Sequence, residues 1–182
     1  MGTPKALLRD ASGEPWLGRG VRALRDAGCG RIAVVLGAAY DDAVGLVPPG
    51  VDVVRADDWE VGMGESLRVG LRHLQGTDAA AAVVTLVDLP DVGAPVVERV
   101  LQRWSANDVP AAALVRAVYD GLPGHPVVLG RDHWPGLLDT VSGDVGAQAY
   151  LTRVDVRRTV ALVECADLAT GRDVDRPPRG GA

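Results

Sequence analysis

Val83-Val84-Thr85-Leu86-Val87-Asp88-Leu89-Pro90 reads as an apolar strand that runs into a carboxylate and then a proline. Proline fixes its own φ, lacks an N–H and biases the residue before it, so the strand must stop here. A strand expected over 82–87 therefore carries Asp88 at its carboxyl end. Further short apolar runs, at 32–36, 51–54, 111–115, 126–129 and 160–163, are expected strands. Between several of them lie helical patterns. Leu17, Gly20, Val21 and Leu24 share one face, as do Leu67, Gly70, Leu71 and Leu74, and Val97, Val100, Leu101 and Trp104. Strand–helix alternation argues for an α/β fold with a mostly parallel sheet covered on both faces. In such sheets ligands bind beyond the carboxyl ends of the strands.

The chain has 182 residues, which suits a single domain. Apolar residues form 47% and charged residues 24%, as in a globular protein. The net charge of −5, with arginines scattered among acids, argues against a nucleic-acid partner. No apolar run approaches the ~20 residues of a membrane span. Cys29 and Cys165 show no metal-ligand or CxxC spacing and read as reduced thiols of a cytoplasmic protein. Residues 176–182 are rich in Pro and Gly and read as a tail.

Six segments could carry chemistry. Asp88 is either a turn aspartate or a first ligand for Mg²⁺, which typically takes one or two protein carboxylates plus substrate phosphates. Trp59-Glu60-Val61-Gly62-Met63-Gly64-Glu65-Ser66-Leu67 places glycines and a serine at a helix start. Free N–H groups there can hold a phosphate, or Glu65 or Ser66 simply caps the helix. Gly2-Thr3-Pro4-Lys5 offers a lysine after a turn, without P-loop spacing. His125, after the turn Gly121-Leu122-Pro123-Gly124, is a structural histidine or one that meets substrate. Ser142-Gly143-Asp144-Val145-Gly146-Ala147 is a glycine turn in which Asp144 is a cap candidate. Near the end, Asp173 and Asp175 bring two acids together.

The order of these segments resembles the molybdenum cofactor nucleotidyltransferases, along nearly the whole chain. Gly2-Thr3-Pro4-Lys5-Ala6-Leu7-Leu8 is similar to their R-M-G-x-P-K-x-L-L. Asp58-Trp59 with residues 62–71 is similar to W-x-x-G-M-x-x-S-L-x-x-G-L, and Val87-Asp88-Leu89-Pro90 to D-M-P or D-Q-P. Gly124-His125-Pro126-Val127 resembles G-x-P-x, and residues 143–147 resemble G-D-x-G-A. Asp173-Val174-Asp175-Arg176-Pro177 resembles D-I-D-T-P, with Arg176 in place of Thr. The cytidylyltransferase type is the nearer subgroup.

The resemblance implies a three-layer, Rossmann-like nucleotidyltransferase domain spanning residues 1–182. The implied activity is transfer of CMP from CTP to the phosphate of the molybdenum cofactor. It implies Mg²⁺ held by Asp88 and Asp175, with Asp173 as the fallback. It makes Lys5 and Asp88 catalytic, and places the nucleotide on Gly2, Lys5, Gly62, Met63, Gly64, Ser66, Leu67 and Asp88. His125 and Asp144 would face the pterin. GTP, or a sugar phosphate, is the alternative substrate. A non-catalytic binding or insertion factor serving a molybdoenzyme is the alternative role. The family also carries a strand and an L-A-A-G-x-S-x-R loop ahead of the stretch matched by Gly2-Thr3-Pro4-Lys5. The expectation is therefore an N-terminally truncated domain, with Met1 an internal methionine of a longer protein.

Overall fold

The computed structural model describes residues 4–141 and 143–174. Two sheet pieces form its middle. Strands β1 (Ala33–Leu36) and β2 (Asp52–Arg55) pair in parallel. Strands β3 (Ala81–Val84), β4 (Leu114–Tyr119), β5 (Leu122–Gly130) and β6 (Val160–Glu164) form the second piece, in the order β3-β5-β4-β6. The helices are α1 (Trp16–Asp26), α2 (Tyr40–Ala43), α3 (Met63–Gln75), α4 (Ala94–Ser105), α5 (Trp134–Thr140) and α6 (Gln148–Leu151).

The second piece is mixed: β4 runs parallel to β6, while β5 is antiparallel to both β3 and β4. The reversal comes from Asp120-Gly121, which joins β4 to β5 with φ of +52° and +78°. Two central residues at positive φ make the turn whose twist matches a hairpin. Alternation along the strands sorts the core into layers. Leu114, Val127 and Leu129 face Leu71 of α3, Trp134 and Leu137 of α5, and Leu151 of α6. Val115, Ala117 and Val128 face Val96 and Val100 of α4 on the other side. A third cluster, with Leu17 and Val21 of α1, covers Ile32 and Leu36.

Three strands differ most from the expected spans. β5 begins at Leu122 rather than 126, because the reversal is made at Asp120-Gly121; Leu122, Pro123 and Gly124, expected in a turn, are strand, with Leu122 and Pro123 paired to Tyr119 and Val118. β3 stops at Val84, so Asp88 stands in a turn beyond it rather than at the strand's last position. The register explains the stop. Val84 pairs with Val127, and the next partner would be Pro126, which has no N–H to donate. The run at 111–115 becomes strand only from Leu114, because Pro110–Ala112 winds into a 3₁₀ turn.

Between β1 and β3 lies an apolar slot of about 990 Å³. It is lined by Val34, Val35 and Leu36 of β1, by Ala82, Val83 and Val84 of β3, and by side chains of α1, α3 and α4. Among the described residues β1 is hydrogen-bonded only to β2, and β3 only to β5. Each therefore leaves one ladder edge without a strand.

Candidate active site

The site gathers around Asp88, 8% exposed and the buried acid of the core. A buried carboxylate needs a partner to offset its desolvation. Lys5, in the 3₁₀ turn Lys5–Leu7 that follows Pro4, donates from Nζ to Asp88 Oδ2. Lys5 keeps 36% of its side chain exposed, so the pair sits at a surface that a ligand can reach.

The segment after β6 returns to the same point. Val174 N–H donates to the Asp88 carbonyl at 2.9 Å. Upstream of it, the Asp91 carboxylate accepts from Thr170 N–H and Oγ1 at 2.7 and 2.6 Å. Gly171, at φ +63°, lies flat against the Tyr119 ring, and a Cβ there would sit 2.2 Å from ring carbons. Asp173, beside Val174, is exposed. Asp175 and Gly2 lie outside the described residues. Among the described residues no group of three or more His, Cys, Asp or Glu is disposed to hold a metal. Mg²⁺ typically takes one or two protein carboxylates plus substrate phosphates, and Asp88 is a single buried carboxylate compatible with that donor set.

A second pair of motifs meets at the start of α3. Gly62 is its N-cap, at φ +128°. A Cβ on Gly62 would lie 2.3 Å from the carbonyl carbon of Gly143 and 2.7 Å from the Asp144 nitrogen. Glycine is required by conformation and by space, and the contact locks the 62–67 segment onto the 143–147 turn. Neither Glu65 nor Ser66 caps the helix: no side chain bonds the N-cap end, and Glu65 pairs with Arg68 at 3.5 Å. Glu65 N–H donates to the Gly62 carbonyl at 3.1 Å, which leaves the N–H groups of Met63 and Gly64 without a side-chain cap among the described residues. Met63, Ser66 and Leu67 border the slot, whereas Gly64 is buried. Asp144 is exposed and caps no helix, since the N-cap of α6 is Ala147.

His125 lies on β5 just before a cis peptide to Pro126. Its carbonyl accepts from Tyr119 Oη at 2.6 Å. Burial, then the neighbouring Arg116 charge, push the imidazole down to about 4, against an opposing pull from Asp88. The ring is therefore neutral at pH 7, suited to hydrogen bonding rather than to carrying charge.

The profile described as MobA-like NTP transferase domain matches residues 1–159. The chain belongs to the MobA-like NTP transferase domain family. A relative named nicotine blue oxidoreductase, from Paenarthrobacter nicotinovorans, is 33% identical over 94% of this chain and 83% of its own length. A probable molybdenum cofactor guanylyltransferase from Rhodopirellula baltica is 31% identical over 57% of this chain and 49% of its own. The crystal structure of Rv0371c from Mycobacterium tuberculosis in complex with manganese superposes with a TM-score of 0.73 at 26% identity. That match covers 90% of this chain and 82% of the other.

Membership of the MobA-like family makes the chain a nucleotidyltransferase of α/β fold. Sequence reading singled out Lys5, Asp88, Gly62 and His125 but missed Asp91, Thr170, Tyr119 and Arg116. Tyr119 and Asp91 stand next to motifs, in Tyr119-Asp120-Gly121 and Asp88-Leu89-Pro90-Asp91. Adjacency was their only signal. No helix is long and apolar enough to cross a membrane among the described residues.

Proposed function

We propose that this protein transfers CMP from CTP to the phosphate of the molybdenum cofactor. The observation that carries the reading is the Lys5–Asp88 pair, onto which the Asp173-bearing segment folds back through Val174. A phosphate oxygen of the acceptor attacks the α-phosphorus of CTP. The bond from that phosphorus to its β-bridging oxygen breaks, and pyrophosphate leaves with the electron pair. The attacking phosphate is already ionised at neutral pH, so alignment and charge neutralisation supply the catalysis rather than a strong base. Mg²⁺ bound to Asp88 with Asp175, or with Asp173, would add neutralisation of the triphosphate. Lys5 contributes a further positive charge to the phosphates. Gly62, Met63 and Gly64 at the start of α3, with Ser66 and Leu67, hold the nucleotide. His125 and Asp144 face the pterin. The cell compartment is the cytoplasm, and nucleic acid is no partner for a chain of net charge −5.

The slot between β1 and β3 suits an additional apolar strand, which pairs both bare edges. We place there the strand that precedes the glycine-rich loop in the resembling family. A version of the chain extended by such a strand and loop tests whether the added strand fills the slot and whether the loop reaches Lys5 and Asp88.

The test is pyrophosphate release from CTP or GTP with molybdenum cofactor and Mg²⁺, using this chain and a version extended upstream. Activity that prefers CTP and collapses in Asp88→Ala supports the proposal. Full activity in Asp88→Ala, or equal activity without divalent metal, refutes it. A second reading, redox turnover of a planar heterocycle, draws on the 33% identity to a protein named an oxidoreductase. It predicts reduction of a heterocyclic dye by an added two-electron donor, with no pyrophosphate formed.

A further inference from the structure

Arg116 stands on β4, with its side chain between Gly124 of β5 and Gln148 of α6. Its Nε donates to the Gly124 carbonyl at 3.1 Å, and its Nη1 to Gln148 Oε1 at 2.7 Å. Both acceptors are neutral oxygens. The guanidinium is half-buried, and no carboxylate pairs with it among the described residues. Burial alone, with no opposing acid, pushes its pKa down. A cation withdrawn from water without a counter-ion is costly, and an arriving anion offsets that cost. The two bonds fix the plane of the guanidinium, and among the described residues Nη2 has no hydrogen-bond acceptor. An arginine held in plane by its other nitrogens is preorganised for an oxyanion. Its position also connects the two segments assigned to the acceptor. Gly124 precedes His125, and Gln148 begins the helix after the 143–147 turn. The same charge acts on the imidazole of His125, which lies close enough to sense Asp88 as well.

We infer that Arg116, clamped by Gly124 and Gln148, is the residue that receives the phosphate monoester of the acceptor substrate and so selects for an anionic acceptor. The inference rests on the transfer reaction proposed above. Arg116 binds the acceptor phosphate on the side away from the nucleotide, and neutral His125 contributes a hydrogen bond without a second charge.

The test uses inorganic phosphate as the probe, without nucleotide or metal, so it is read independently of turnover. Calorimetry is expected to show phosphate binding to the unaltered chain. The affinity should fall about tenfold or more in Arg116→Gln and only about two- to threefold in Arg116→Lys, which keeps the charge and loses the fork. CTP affinity in Arg116→Gln should stay within about twofold of the parent. Equal phosphate affinity in parent and Arg116→Gln, or no phosphate binding by the parent, overturns the inference. So does a parallel loss of CTP affinity, which assigns Arg116 to the nucleotide instead. If Arg116→Gln does not fold, the parent chain decides by arginine modification with phenylglyoxal and peptide mass analysis. Phosphate must then slow modification of Arg116 but not of Arg19; equal rates overturn the inference. Failure of CTP turnover with retained phosphate binding removes the transfer reading and leaves the anion site standing.

Discussion

Asp91 holds Thr170 by two hydrogen bonds to one carboxylate oxygen, at 2.7 Å from the backbone nitrogen and 2.6 Å from the hydroxyl. These residues are 79 positions apart, and the bond pair fastens the segment after β6 across the turn that carries Asp88. Because Val174 then reaches the Asp88 carbonyl, Asp91 acts on the proposed metal pair only through the segment it positions. Asp91→Ala is expected to weaken Mn²⁺ binding, followed by electron paramagnetic resonance, several-fold. Thr170→Val, which keeps the N–H bond, should cost less. Since both residues are exposed, stability should fall by only ~1 kcal/mol. Unchanged Mn²⁺ affinity in Asp91→Ala would remove this positioning role.

Gly62→Ala should be far more damaging than its single methyl suggests. The methyl meets the Gly143 carbonyl at 2.3 Å, and the backbone stands at φ +128°. A loss of ~1–3 kcal/mol in urea unfolding is expected for a strained non-glycine residue there. Gly45→Ala is the control, since a Cβ at Gly45 has open space and no positive φ. Equal stability of the two variants would contradict the close contact.

His125 makes stability depend on pH. Its folded pKa is lowered to about 4 from 6.5, so the unfolded chain binds more protons between those values. The neutral ring's contribution is complete above pH 6.5, declines as pH falls towards 4, and levels off below. A shift of this size corresponds to roughly 3 kcal/mol across the window. Urea midpoints at pH 7, 5.5 and 4 should fall more steeply in the parent than in His125→Gln. Identical slopes would show that the ring is not buried as described.

The slot leaves apolar side chains from β1, β3 and α3 around a space of about 990 Å³. Bare edges and apolar walls invite dye binding and association. This chain should enhance anilinonaphthalene sulfonate fluorescence, and a version extended upstream by a strand should not. Equal dye binding by both would mean that the added strand does not enter the slot.

Much of this arrangement was legible in the residues. The helix faces at 17–24, 67–74 and 97–104 lie inside α1, α3 and α4, because spacing of 3.6 is dictated by burial of one face. Gly62 could be read from the glycine pair before an apolar helix, whereas Pro90 by itself places Asp88 at the strand's end when it stands in a turn beyond it. The end of β3 could not be read from its own sequence. Thr85, Leu86 and Val87 favour strand, but the stop comes from Pro126 on the partner strand. Asp91–Thr170, Tyr119 against Gly124 and Gly171, and Arg116 on Gln148 depend on contacts between distant segments. Local pattern carries no information about such contacts until topology brings the segments together.

The central claim is that Asp88 serves a nucleotide-bound divalent cation in a nucleotidyltransferase. The most direct measurement is calorimetry of CTP with and without Mg²⁺, on this chain, on its upstream-extended version and on Asp88→Ala of the latter. The account predicts Mg²⁺-dependent CTP binding to the extended chain, weaker binding to this one, and loss of the Mg²⁺ dependence in Asp88→Ala. CTP binding by the extended chain that is indifferent to Mg²⁺ and to Asp88→Ala would contradict it.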